Sequence, residues 1–460
     1  MNRANAKPVL AVLYLAAFVS AFNENIINVA LMDIMAEFSI ASTTAQWMVT
    51  GYMIVTSIIV TVMAFLSRRF TTRTLFFIGA ACLVAGEAVC MVAGSFPLLL
   101  ASRLLQAVGS GIFIPLMMTS VLALAPGEKV GSYLAIGSAA ITLGPALAPV
   151  LSGVAVTFFG WSSIFVLPGA VTLVLALAAI RAVVNIGETG PARFDVLSLV
   201  LAALGLTLFV YGLGEVSARP AIGIVITAVA VCLIVLFIRR QGRIDNPILN
   251  VSPLKKKRFN VSLLLVVVGM MTTFSMSVLL PLYFESVFGL SPLAAGLLIL
   301  PPIVVNAVTA VFGGRVMDRS GAWPLIPVGF ALIAAGQVAT AVFGAGMGLV
   351  PVVASSVVVY AGVGLVMSPS QTAGLKELVH EEHPHGVSII NTIIMVSASF
   401  GPSLFIGALS SKAASAQAQG VAAAVAQASG FGVAVWIAAA IAIAGLVVSV
   451  FFALRGRVKI

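Results

Sequence analysis

Three ionisable residues lie deep inside long apolar runs of this chain: Glu24, Glu87 and Arg103. Charge in a membrane interior is expensive, so each is a functional candidate by default. Counting a helical rise of about 1.5 Å per residue, Glu24 lies roughly 12 Å, Glu87 roughly 11 Å and Arg103 roughly 9 Å below the outer ends of their runs. The three therefore share one level in the outer half of the N-terminal bundle. A buried carboxylate near a guanidinium can take up a proton facing one side and release it facing the other. The remaining chemistry-bearing types point nowhere comparable. The three histidines sit together in HEEHPH (380–385), where a spacing of three and Pro384 spoil a His-Glu-x-x-His helix, so a solvated loop is expected and no metal site. Cys82, Cys90 and Cys232 are scattered through apolar runs and form neither a disulfide framework nor a zinc set. No cofactor is expected.

The elements that must position these groups follow from composition. Of 460 residues 61% are hydrophobic and 8% charged, against roughly 25% charged in soluble domains. Spans are expected near 8–32, 45–66, 75–94, 97–124, 132–156 and 162–184, then 196–213 and 221–238. Six more lie near 261–284, 293–313, 324–343, 348–367, 387–409 and 432–454. The first run is too long for a cleaved signal peptide and reads as a span. With the N-terminus inside, one set of loops collects Arg68, Arg69, Arg73, Lys129, Arg181, Arg193, Arg239, Arg240, Arg243, the run KKKR (255–258), Arg315, Arg319 and Lys376, besides Arg3, Lys7, Arg455, Arg457 and Lys459 at the termini. The other face receives Arg219 and Lys412. This asymmetry predicts a multi-pass protein of the cytoplasmic membrane with both termini in the cytoplasm. It explains the net charge of +10 without nucleic acid. The KKKR run is an orientation signal that also meets anionic membrane lipid.

A repeat is also readable. AFLSRRFTTR (64–73) follows the second span and GRVMDRSGAW (314–323) the tenth, while Gly144-Pro145 interrupts the fifth span and Gly401-Pro402 the thirteenth. Both pairs repeat at close to one spacing. The expected architecture is all-α and integral to the membrane, with about fourteen transmembrane helices. It comprises an N-terminal six-helix bundle (1–190), an inserted two-helix hairpin (191–245) and a C-terminal six-helix bundle (246–460).

These features resemble the major facilitator superfamily, and the inserted hairpin is similar to its fourteen-helix drug:proton antiporter branch. FNENIINVAL (22–31) resembles that branch's first-helix signature, QWMVTGYMI (46–54) its second, RLLQAVGSG (103–111) its fourth, and GPALAPVLSG (144–153) its exporter motif. FNENIINVAL and RRFTTR together look closest to lincomycin-resistance-type exporters. There are departures. Ala64 and Arg68 replace the glycine and aspartate of the first cytoplasmic Gly-x-x-x-Asp-Arg motif, whereas Gly314, Asp318, Arg319 and Gly321 keep the second. Asn23 takes the usual acid position, with Glu24 beside it and turned about 100° around the helix. Ala148 and Ser152 replace glycines of the exporter motif.

The resemblance implies proton exchange at Glu24 tuned by Arg103, with Glu87 a third proton-coupling candidate. A drug surface is expected from Asn23, Asn25, Trp47, Tyr52, Met270, Phe274 and Tyr283, since aromatic faces and methionines suit ligands of variable shape. Gly144 and Pro145 are expected to bend or slide, and Asp318 and Arg319 to latch. The expected partners are hydrophobic or cationic drugs, protons and membrane lipids, and the chain is expected to act as a monomer. An exporter or flippase of one endogenous lipid or metabolite is the alternative. No ATPase loop or nucleophile constellation supports a primary pump or an intramembrane enzyme. The intramembrane enzyme is the third class weighed, and a sensor that binds ligand yet moves none is a further alternative.

Overall fold

The computed structural model describes residues 6–186, 190, 195–216, 219–322 and 325–456. Arg3, Arg193, Trp323, Arg457 and Lys459, and the hairpin's first residues from 191, lie outside the described residues, as do the side chains of Pro402 and Arg455.

Fourteen long helices form the described chain: α1 (Ala6–Phe38), α2 (Trp47–Arg69), α3 (Thr72–Met91), α4 (Phe96–Leu124), α5 (Val130–Phe159), α6 (Val166–Ala182), α7 (Val196–Glu215), α8 (Pro220–Gln241), α9 (Lys257–Phe288), α10 (Pro292–Ser320), α11 (Leu325–Ala345), α12 (Leu349–Lys376), α13 (His383–Ala418) and α14 (Ala423–Gly456). Thirteen described helices are long and apolar enough to cross a membrane. The fourteenth, α13, takes in the second half the place that α5 takes in the first.

The halves repeat helix for helix. α1 packs on α4, α5 and α6, and α9 on α12, α13 and α14; α4 joins α2 and α3 as α12 joins α10 and α11. The seam obeys the same symmetry, with α5 against α10 and α13 against α2. Glycine contacts repeat to the atom. A Cβ on Gly109 would lie 2.5 Å from the Gly79 carbonyl oxygen, and one on Gly362 2.5 Å from that of Gly329. Gly86 faces the Ser102 carbonyl as Gly336 faces that of Ser355. Close backbone approach of this kind is how helices associate where lipid removes the hydrophobic drive.

Several helices outrun their expected spans. α1 has 33 residues and α13 has 36, which at 1.5 Å each exceed a hydrocarbon core of about 30 Å. Neither Gly144-Pro145 nor Gly401-Pro402 interrupts its helix. Proline removes one hydrogen-bonded rung, and the close fit of α5 on α1 keeps the helix whole: a Cβ on Gly144 would lie 2.6 Å from the Phe22 nitrogen. The histidine run is not a loop. His380 lies in a short 3₁₀ turn and α13 begins at His383, with Pro384 in its first turn, where proline is tolerated. His385 is buried.

Candidate functional site

The site grows from one face of α4. Arg103, Gln106 and Ser110 recur three and four residues apart, so they stack along one side of the helix. Arg103 is fully buried. One terminal nitrogen donates to Asn23 Oδ1 at 3.2 Å and to Gln106 Oε1 at 2.8 Å; the other donates to the main-chain carbonyls of Asn23 and Glu24 at 2.7 and 3.1 Å. Its guanidinium carbon stands 4.0 Å from the centre of the Tyr52 ring. A desolvated cation over an aromatic face gains about 2 kcal/mol. Four neutral acceptors and one ring thus offset the cost of burying this charge, with Nε left unpartnered.

Around Arg103 the network continues. Asn23 Nδ2 donates to Gln106 Oε1 at 3.2 Å, and Gln106 Nε2 donates to Cys90 Sγ at 3.2 Å. Cys90 Sγ meets Ser102 Oγ at 2.9 Å, and Ser102 Oγ also donates to the Leu99 carbonyl. The Tyr52 hydroxyl shares a hydrogen bond with Ser110 Oγ, and Ser20 Oγ donates to the Ser110 carbonyl at 3.0 Å. Gly144 brings α5 against α1 at Ala21 and Phe22, immediately before the residues that Arg103 holds.

The two acids take different places. Glu24 is half-buried and touches Arg103 through its main chain. Glu87 is fully buried, with both carboxylate oxygens unpartnered, facing Gly169 of α6. The described ion pairs are Asp195–Arg240, Lys256–Glu382 and Arg258–Glu377, none of them here. Helical geometry accounts for the division on α1: Asn23 turns its side chain to Arg103, so its neighbour points elsewhere.

The other expected residues are dispersed. Asn25 Nδ2 donates to the Ala21 carbonyl at 3.1 Å within its own helix. Tyr52 gives its ring to Arg103 and is buried. Trp47 is exposed at the start of α2 and stacks on Tyr211 of α7, with ring centres 6.1 Å apart. Met270 and Phe274 are half-buried on α9, Phe274 beside Gly401. Tyr283 is buried inside the second half, stacked 4.2 Å from Phe431 and donating to the Gly344 carbonyl. Asp318 reaches across the seam. Its carboxylate accepts from the amides of Gly131 and Ser132 at 2.9 and 2.8 Å and from Ser132 Oγ at 2.5 Å, capping α5 from the opposite half. Arg319 lines a surface groove beside it with Glu128, Lys129, Ser132 and Arg315.

Residue types alone did not mark Gln106, Ser110, Cys90 and Ser102 as members of the site. The three-and-four spacing of Arg103, Gln106 and Ser110 was the signal available for two of them.

The seam is shut on the side where the basic loops lie. Thr61 of α2 meets Thr392 of α13 at 2.9 Å, and Asn391 Nδ2 approaches Met118 Sδ at 3.2 Å. A Cβ on Gly314 would lie 2.4 Å from that of Ala135.

Comparison with known proteins agrees with this architecture. The chain is 30% identical over 422 residues to lincomycin resistance protein LmrB of Listeria monocytogenes, covering 90% of this chain and 89% of that one. It is 32% identical over 420 residues to LmrB of Bacillus subtilis, covering 88% and 85%. Among solved structures, the proton:xylose symporter XylE superposes with a TM-score of 0.64 at 15% identity, covering 96% of this chain and 95% of that one. Human MFSD10, an organic anion transporter, superposes at 0.65 with 11% identity, covering 96% and 99%. Residues 13–402 match the model of the Major Facilitator Superfamily. Two repeated six-helix halves around a shared seam, matched over most of their length in sequence and in shape, make the chain a member of that superfamily of transporters.

Proposed function

We propose that the protein is a proton-coupled exporter of hydrophobic or cationic drugs, working by alternating access as a monomer in the cytoplasmic membrane with both termini inside. The observation that carries this reading is the grip of Arg103 on the main chain of Asn23 and Glu24. It ties the main chain that carries the half-buried Glu24 to a buried guanidinium, in one bundle of a two-bundle transporter. Glu24 binds a proton or a cationic drug but not both, and that competition couples the two flows. Arg103 fixes the main chain that carries Glu24, and Glu87 is the second acid near the same guanidinium. The relatives named for lincomycin resistance support a drug as cargo.

Transport in proteoliposomes under an imposed pH gradient, with lincomycin and a lipophilic cation as probes, tests the reading. Gradient-driven drug movement in wild type that Glu24→Gln abolishes, with folding intact, is expected. Movement indifferent to both gradient and substitution rejects the coupling. No movement of either probe favours an endogenous lipid or metabolite as cargo.

A further inference from the structure

The segment that leaves the inserted hairpin, residues 242–256, crosses the shut seam and is tied to both sides of it. On the α2 side, an Arg68 terminal nitrogen donates to the Pro247 carbonyl at 2.5 Å. The next residue, Ile248, is fully buried in a cluster with Val62 and Phe65 of α2. On the α13 side, the Asn250 amide donates to His385 Nδ1 at 3.0 Å. Two residues on, Ser252 Oγ donates to Glu382 at 2.8 Å, and Lys256 pairs with the same carboxylate. Further bonds tie the segment to the hairpin. Gln241 Oε1 accepts from the Leu249 amide at 3.0 Å while its Nε2 donates to Ser198 Oγ of α7. At the hairpin's base Arg240 holds the Asp195 carboxyl down at about 2.

Pro247 and Asn250 are three residues apart, a reach of about 10 Å at full extension. One faces α2 and the other α13, which form one of the two helix pairs that meet across the seam. Opening the seam there must therefore break the seat of residues 247–248 on α2 or the bond of Asn250 to His385. Arg68, which provides the first anchor, stands in the first-half copy of the repeated loop at the place that Asp318 takes 250 residues on in the second. The acid latch missing there has a replacement of opposite charge that grips a main-chain carbonyl instead.

We propose that residues 247–250 are a strap that locks the basic side of the transporter shut, with Arg68 and His385 as its two anchors. This gives the inserted hairpin a role: its exit segment sets the balance between the shut and open forms on that side. The proposal rests on the two halves separating there, and on neither the cargo nor the proton.

The test is a distance measurement by double electron–electron resonance on the full-length protein, without drug or gradient. Spin labels go on Arg69→Cys and Glu381→Cys, both exposed, in a chain whose Cys82 and Cys232 are replaced by Ala. Cys90 is buried. Arg68→Gln and His385→Ala should each raise the long-distance population about tenfold, the effect of losing one strong hydrogen bond. Arg243→Gln, which removes an exposed charge of the same segment, should leave it unchanged. Asp318→Asn is the positive control, since it weakens the other seal of the seam. A distribution that moves with Asp318→Asn but with neither strap variant overturns the proposal, and it would leave the transport reading untouched.

Discussion

At the scale of single residues, the site is asymmetric in a way the repeat makes measurable. Positions of α3 and α11 correspond 250 residues apart, and those of α4 and α12 253 apart, as the pairs Gly79 with Gly329 and Gly109 with Gly362 establish. Cys90 meeting Ser102 at 2.9 Å is then matched by Thr340 meeting Ser355 at 2.7 Å. Arg103 corresponds to Ser356 and Glu87 to Gln337, both buried. The side-chain polar atoms of Glu87 and Gln337 are all unpartnered. An amide therefore already occupies Glu87's place in the second half. Glu87→Gln should leave thermal stability in detergent within about 1 kcal/mol of wild type. Arg103→Ala strands the acceptors on Asn23, Glu24 and Gln106 and should cost about 3 kcal/mol. Differential scanning fluorimetry of the two variants checks both; equal losses would contradict the asymmetry. The level shared by Glu24, Glu87 and Arg103 could be counted from the sequence. The partner each side chain chose could not, because one residue's rotation about a helix decides it.

At the scale of elements, the helices were legible because apolar runs of membrane length leave little choice of structure. Their ends were less so. A helix crossing the interface continues until a cap or a turn stops it, and hydropathy does not register caps; α13 begins at His383, inside what reads as a polar loop. Pairing of helices was legible only as a repeat of motifs. The contacts that secure it are glycines, which carry no hydropathy signal of their own. They yield a prediction. Gly109→Ala and Gly362→Ala each push a methyl to 2.5 Å from a neighbouring carbonyl oxygen. Each should destabilise the fold by about 1–3 kcal/mol. Gly153→Ala and Gly407→Ala, which meet nothing within 4 Å, should be tolerated. Melting temperatures of the four variants in one detergent decide the matter.

At the scale of the whole molecule, the seam is the feature the sequence least revealed, since it depends on which ends of the two bundles touch. Only the intact second motif, with Asp318 and Gly314, marked it. The structure assigns that acid a defined task, capping the first turn of α5 from across the seam. Asp318→Asn removes the charge from that cap, and hydrogen exchange of the Gly131 and Ser132 amides should quicken about tenfold. Exchange inside α3 and α4 should stay at the wild-type rate. Uniform acceleration would instead mean a general loss of stability.

The glycine-to-carbonyl contacts have a mechanical consequence. Helices whose backbones touch cannot slide without collision, so α3 with α4 and α11 with α12 behave as two stiff plates. The seam is a different kind of joint: between α5 and α10 and between α2 and α13, a carboxylate, a threonine pair and a short strap add to one close glycine approach, Gly314 on Gly131. Strain therefore concentrates there when the molecule is pushed. Under the proposed alternating access, a ligand or proton worth only a few kcal/mol would work against that joint, leaving the packing within each plate intact.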